Sequence, residues 1–477
     1  LRRWPGIRWP GSLPLRRAAS PRAGLLLGFA FGLGHFLAGT SWVYVSMSVF
    51  GGLPPALAGL ATVLFCAYLA LFPALAGVLF VRLRRLNFAA DAVSFAALWV
   101  LAEWLRGWLF TGFPWLALGY SQSPPSPLSG YAPLLGVYGV TLVTLLLGAA
   151  FAELLRRWFV TPCAGTSRVA CGIAPLLVAL ALLVGGAALV GQRWSEPVGA
   201  PLRVALLQGN VPQDLKWRPE KLSESLGIYG RLMFAHPATL TVLPETAIPT
   251  FLDTLPRPYL EGLLDHATAQ RGDILFGIAV GDGQRYANAA VSFGSSPTQL
   301  YAKSHLVPFG EFVPPGFQWF LDLMRIPMGN FMPGPDHQPP LEIAGQKVAV
   351  NICYEDLFGS EIIRALPAAT MLVNLSNTAW FGDSLAQPQH LQIAQLRALE
   401  TGRPMLRATN TGMTAVVGPD GKVEAALPPF TRDALVAEVQ GHAGTTPYVR
   451  WGNGAVLGLA LLLLATAAFI RKSPQNQ

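Results

Sequence analysis

The sequence predicts a polytopic α-helical membrane protein that carries a layered α/β domain. Two observations carry this reading. Charged residues make up 13% of the 477 positions and hydrophobic ones 52%, against roughly 25% and 45–50% in soluble proteins. That leaves too little charge to cover a soluble surface. The apolar residues also gather into six long stretches, five before residue 195 and one near the end. Each approaches the roughly 20 residues that a bilayer crossing needs.

The first five stretches fall at about 24–46, 56–80, 89–108, 133–155 and 171–191. The sixth covers about 453–470, where Gly454 to Ile470 runs without a charge. The expected organisation is a membrane part over 1–195, a polar domain over 200–445 and a C-terminal span over 450–472. Basic residues sit beside the apolar runs: Arg2, Arg3, Arg16 and Arg17, then Arg82, Arg84 and Arg85, then Arg156 and Arg157, then Arg471 and Lys472. The loops near 47–55 and 109–132 contain no Lys or Arg. By the positive-inside rule the basic loops are cytoplasmic, which puts 192–450 on the outer face. Read this way, the net charge of +8 orients the chain in a membrane and is no sign of a nucleic-acid partner. Glu103 and Arg106, flanked by Trp104 and Trp108, read as an i,i+3 interface anchor, with a lipid-headgroup contact as the sharper alternative.

Four cysteines, Cys66, Cys163, Cys171 and Cys353, give no CxxC pair and no zinc spacing. No motif suggests a metal or an organic cofactor. The chain begins with Leu1 and has no signal-peptide pattern before the first stretch, so a truncated or misassigned start is expected.

Between 202 and 445, short β-branched runs alternate with helical patterns. Strands are expected at 202–207, 240–243, 274–279, 348–352 and 370–375, with helices near 219–234 and 256–271. Helix-linked strands of this kind predict a layered α/β domain.

Three polar residues stand at the ends of apolar strands: Glu245 after Thr241-Val242-Leu243-Pro244, Lys303 after Leu300-Tyr301-Ala302, and Cys353 after Val348-Ala349-Val350-Asn351-Ile352. Taken singly, each is an ordinary loop or core residue. Together they form a chemical set. A thiol needs a base to become a nucleophile, and a tetrahedral intermediate needs a fixed donor for its oxyanion.

Three segments, Leu243-Pro244-Glu245-Thr246, Lys303 with His305-Leu306-Val307-Pro308-Phe309-Gly310-Glu311-Phe312, and Asn351-Ile352-Cys353-Tyr354-Glu355, resemble the Glu-Lys-Cys motifs of the nitrilase superfamily. The membrane flanks and the block running to Glu311 narrow the resemblance to its membrane-embedded apolipoprotein N-acyltransferases. Further matching segments are 209–217, Thr111-Gly112-Phe113-Pro114-Trp115, 41–46 and Asn410-Thr411-Gly412. There are two departures. The family usually has eight spans against six here, and the missing pair would precede residue 24. The family also commonly has an Asp where this chain has Thr378.

The resemblance implies an α-β-β-α sandwich in a bacterial inner membrane, with the catalytic domain on the periplasmic side. It implies that Cys353 takes an acyl group from a glycerophospholipid as a thioester. The α-amine of the S-diacylglyceryl-cysteine of an apolipoprotein then receives that group. Glu245 would be base and then acid, Lys303 and the Tyr354 N–H would hold the oxyanion, Glu311 and Glu355 would support the site, and Trp217 would lie on a substrate-gating loop. Moving one ~16-carbon chain into water costs roughly 12 kcal/mol at about 0.8 per CH₂, so an enzyme handling such chains gains by sitting among them. The rival with the same three residues is a membrane-tethered nitrilase-type amidase, which has no need of six spans. A transporter would instead carry charges inside its spans, which these almost lack. The aromatic stretch from Pro308 to Met332, including Trp319 and Phe320, reads either as core of the α/β domain or as an irregular arm dipping into the outer leaflet.

Overall fold

The structure, a computed structural model, describes residues 20–85, 87–159, 168–216, 218–281, 285–314, 316 and 330–469. Among the described residues, five helices are long and apolar enough to cross a membrane. α1 (Pro21–Thr40) starts on Ser20, whose hydroxyl accepts from Ala23 N, and α2 (Pro55–Leu83) has a proline in its first turn, where the missing N–H costs nothing. α3 (Phe88–Arg106) is capped by the Asn87 side chain and carries Asp91 in its first turn. α4 (Ala132–Phe159) is broken at Gly136 (φ 67°), and α5 (Arg168–Val190) follows. The α1–α2 contact is backbone on backbone, since a Cβ on Gly24 would stand 2.5 Å from Gly77 O. Small residues provide such close approach in bilayers, where lipid offers no hydrophobic drive for helix pairing. Leu57, Leu60, Leu64 and Leu71 remain exposed on α2, as a lipid-facing surface requires.

Glu103 and Arg106 do not form the expected interface anchor. Both side chains are buried, at 6% and 2% exposure. Arg106 donates to Phe113 O and Trp115 O. Glu103 accepts from Trp99 Nε1, Leu118 N and the Thr141 hydroxyl. They tie α3 to the 109–122 loop and to α4. A charge at this depth is tolerable because backbone and side-chain partners replace water.

The α/β part contains twelve strands among the described residues: β1 (Ser195–Gln208), β2 (Leu240–Val242), β3 (Asp273–Gly281), β4 (Tyr286–Gly294), β5 (Gln299–Ala302), β6 (Leu341–Ile343), β7 (Gln346–Ile352), β8 (Met371–Ser376), β9 (Met405–Thr409), β10 (Ala415–Val417), β11 (Val423–Ala426) and β12 (Asp433–Gly444). They form two six-stranded sheets, β12-β1-β2-β3-β4-β5 and β11-β10-β9-β8-β7-β6. The middle strands β1-β2-β3 and β7-β8-β9 pair in parallel.

Alternation along each strand builds the layers. Val204 and Leu206 of β1 join Val348, Val350 and Ile352 of β7 in a core between the sheets. Ala205 and Leu207 point the other way, onto α6 (Leu222–Ala235) and α7 (Arg257–Ala269) through Ile228, Met233 and Leu263. On the far side of the second sheet lies α8 (Ala386–Thr401), with Leu391, Ala394 and Ala398 against Leu372 and Met405. The result is an α-β-β-α sandwich. After β12 the chain forms the apolar helix α9 (Gly454–Phe469).

One continuous hydrophobic core joins the helical part to the sandwich. Trp42, Val100, Trp115, Val140 and Val456 share it with Tyr354, Leu357, Phe358, Ile393 and Leu396. α8 is therefore covered on two sides, by the second sheet and by membrane helices.

Candidate active site

Three strand ends converge. Glu245 follows β2 on a turn where Thr246 has φ 45°, and Gly277 of β3 lets that turn lie close. A Cβ there would meet Thr246 N at 2.5 Å and Glu245 Cα at 2.6 Å. Lys303 follows β5, its N–H donating to Asn288 O. Cys353 follows β7 with φ 53°, a left-handed conformation that a residue with a Cβ adopts only when its surroundings impose it.

Glu355 supplies much of that constraint. One carboxylate oxygen accepts from Ile352 N at 2.7 Å, and the other from Ser304 N at 2.8 Å and His305 N at 3.1 Å. The Tyr301 hydroxyl donates to both. The group thus locks the Cys353 turn to the segment carrying Lys303. Asp356 fixes the other side, accepting from His390 Nε2 at 2.7 Å and from Arg407 at 2.9 Å. Asn374 Nδ2 donates to Cys353 O.

Within the site, Lys303 Nζ lies 3.4 Å from Glu245 and 2.8 Å from Glu311. Asn288 Nδ2 bridges the same two carboxylates at 2.7 and 2.8 Å. The second Glu245 oxygen accepts from Asn377 N at 2.8 Å. Burial opposes charge on Glu245, yet Lys303, Asn288 and Asn377 outweigh it and hold the carboxyl below its ordinary range. Burial likewise opposes charge on Lys303, and Glu311 and Glu245 overcome it, so Lys303 stays an ammonium. The Cys353 thiol is pushed up, first by burial and then by the Glu245 charge. The resting arrangement is thiol, carboxylate and ammonium. It can perform base-assisted attack by sulfur on a carbonyl, with a fixed cation for the oxygen that becomes negative.

The structure brings Glu245, Lys303, Glu311, Tyr354 and Glu355 together with Cys353. Trp217 lies outside the described residues, as do Trp319 and Phe320 of the aromatic stretch. Tyr354 turns its side chain toward the membrane part, where its hydroxyl donates to Gly112 O at 2.8 Å. Asn288 and Asn377 were not singled out from sequence. Asn288 lies on β4, a strand without an expected counterpart, and Asn377 contributes its backbone N–H, which no residue type announces.

The carbon–nitrogen hydrolase family model matches residues 203–448, and the model of the apolipoprotein N-acyltransferase N-terminal domain matches residues 3–150. The chain is 49% identical to the apolipoprotein N-acyltransferase of Nitrosomonas europaea, over 95% of this chain and 90% of that one. It is 48% identical to that of Ralstonia nicotianae, over 96% and 87%. A CN-hydrolase superfamily protein from Xanthomonas campestris, solved with an arsenic adduct in its active site, aligns with TM-score 0.40 and 16% identity over 50% of this chain and 91% of its own. Sandwich and family match together define a carbon–nitrogen hydrolase domain attached to helices able to cross a membrane. More narrowly, the chain belongs to the apolipoprotein N-acyltransferase family and is an acyltransferase.

Proposed function

We propose that this protein moves a fatty acyl group from a membrane glycerophospholipid to the α-amine of the N-terminal S-diacylglyceryl-cysteine of apolipoproteins, through a thioester on Cys353. Glu245 takes the Cys353 proton as sulfur attacks the ester carbonyl, and the oxyanion forms against Lys303 Nζ and the Tyr354 N–H. The C–O bond then breaks and Glu245 returns the proton to the departing lysophospholipid. In the second half the acceptor nitrogen attacks the thioester and the C–S bond breaks. Glu245 carries a proton from nitrogen to sulfur. Glu311 holds Lys303, Glu355 holds the turn at Cys353, and Trp217 takes part in admitting substrate. The functional units are a membrane part over 1–195, a catalytic domain over 200–445 and a C-terminal span over 450–472. They sit in the inner membrane with the catalytic domain on the periplasmic side.

The observation that carries this reading is the reach of Tyr354, next in sequence to Cys353, into the 109–122 loop of the membrane part. A thiol built onto the roof of a helical membrane domain suits a donor whose acyl chains lie in the bilayer. The decisive experiment is mass spectrometry of the purified protein after exposure to phospholipid. An acyl mass on the Cys353 peptide, with release of lysophospholipid, is expected. A folded protein that turns over with no acyl adduct would refute the thioester. Hydrolysis of small amides without lysophospholipid release would favour the amidase. Reporters fused after residue 195 and after Lys472 should be active outside and inside the cytoplasm respectively, and the opposite pattern would overturn the orientation.

A further inference from the structure

A second lysine stands in the site, in an electrostatic setting opposite to that of Lys303. Lys216 ends a single helical turn, Gln213–Lys216, and its side chain is only 2% exposed. Its Nζ donates to the backbone carbonyl of Glu245 at 3.2 Å. Among the described residues no carboxylate lies within salt-bridge distance of it, whereas Lys303 touches two. The turn is latched in place: Asn377 Nδ2 donates to Gln213 Oε1, and Asn410 exchanges hydrogen bonds with both Val211 N and Val211 O.

The charged and titratable groups that bear on Lys216 are Glu245 and Cys353, with Lys303 and Glu311 beyond them. Burial brings its ammonium down to about 7, with Glu245 and Cys353 resisting. One site thus holds one lysine that stays charged and one that gives up its proton near neutrality. Divergent environments of this kind separate electrostatic from acid–base roles.

The proposed reaction leaves a task for such a group. An α-amine has an ordinary pKa of about 7.7–8.0, so an acceptor arriving at neutral pH is mostly ammonium. Glu245 is committed to carrying one proton from nitrogen to sulfur during attack, and a surplus proton must leave first.

We propose that Lys216 is the base that takes this surplus proton from the acceptor ammonium before the free amine attacks the Cys353 thioester. The balance is simple: acceptor ammonium and neutral Lys216 become free amine and Lys216 ammonium. The attack then proceeds through Glu245, and Lys216 passes its proton to water. The assignment rests on the thioester reading above. The first half-reaction has no ammonium to neutralise and does not use Lys216.

The test uses the full-length protein and separates the half-reactions. Protein is acylated with phospholipid, then mixed with a synthetic diacylglyceryl-cysteinyl peptide, and acyl-Cys353 is followed in time for the unmodified chain, Lys216→Gln and Lys216→Arg. The arginine variant keeps a donor for the Glu245 carbonyl but cannot accept a proton. Both variants should slow transfer several-fold more than acylation, which also feels the altered contact to Glu245. Transfer at pH 7 should slow about tenfold, because only roughly a tenth of the acceptor is free amine there, and the deficit should fall below about twofold at pH 9. Equal slowing of both half-reactions, normal transfer by the arginine variant, or a deficit independent of pH would each overturn the assignment. An unmodified protein that never carries acyl on Cys353 would instead overturn the thioester reading, and this role with it.

Discussion

Tyr354 and Gly112, 242 positions apart in sequence, are joined by a hydrogen bond of 2.8 Å from the tyrosine hydroxyl to the glycine carbonyl. The residue beside the proposed nucleophile is thereby fixed to the loop that follows α3. Replacing Tyr354 by Phe removes the donor and leaves a buried carbonyl unpaired, at a cost of about 1–3 kcal/mol. If the bond aligns Cys353 with the membrane part, acyl-enzyme formation from phospholipid should fall about tenfold, the equivalent of 1.4 kcal/mol at the transition state. Unchanged acylation with a lowered melting temperature would make the contact purely structural.

The left-handed turn at Cys353 makes a second prediction, in which stability and activity move apart. Cys353→Ala and Cys353→Gly should both fail to form an acyl-enzyme. Glycine has no Cβ to strain at φ 53°, so the glycine variant should be more stable than the alanine one by about 1 kcal/mol. Thermal unfolding of the two variants side by side decides it, and equal or reversed stability would contradict the strain.

Asn288 donates to Glu245 and Glu311 at once. In Asn288→Ala the Glu245 carboxylate loses a donor that now lowers its pKa, so that pKa rises. If Glu245 is the base proposed above, it must be ionised to work, and the acid limb of the acylation pH profile should therefore move to higher pH. A rate loss of about 10–100-fold at pH 7 is expected for a group serving a general base. A profile that drops in height without moving would assign Asn288 a packing role only.

Lys216 also predicts a pH-dependent stability. Its folded-state pKa is lowered to about 7 from an ordinary 10.5, so the unfolded chain binds the proton more tightly. The penalty is complete below about pH 7 and is relieved as pH rises toward 10.5. Lys216→Met should accordingly raise the melting temperature at pH 6 by at least about 2 °C, and by less at pH 9. A gain equal at both pH values would reflect packing rather than charge.

The long apolar runs were legible because a bilayer crossing leaves a signal of its own length. The strands carrying Glu245 and Cys353 were legible because burial on both faces makes them nearly continuous apolar runs. α8 was not. Its sequence, with Gln387, His390, Gln395, Arg397 and Glu400, reads as polar, yet all five side chains are buried. Their partners lie within the helix and beyond it: Arg397 pairs with Glu400 one turn on, Glu400 also accepts from Val137 N, and His390 meets Asp356. A helix wedged between a sheet and membrane helices exposes little, here Pro388 and Gln392, so its pattern carries only a weak amphipathic period. Glu103 and Arg106 misled for the same reason. Sequence shows their charge and spacing, while the backbone groups that accommodate them lie in a loop whose path only the fold reveals. The short strands β6, β10 and β11 are too brief for any periodicity to emerge.

The pairing of β1 with β12 runs from Ser195 opposite Gly444 down to Gln208 opposite Asp433. The chain therefore enters and leaves the sandwich on neighbouring strands, about 4.8 Å apart, and the domain is an insertion between α5 and α9. During synthesis β1 emerges early and waits for more than 200 residues before its antiparallel neighbour exists. Until then the first sheet has an open edge, the kind of surface that invites pairing with another chain. Closing that edge and completing the apolar helix α9 are consecutive events on the same stretch of polypeptide. Completion of the sandwich and synthesis of the last helix are thus coupled in time, and a chain stalled before β12 would expose a sticky strand edge.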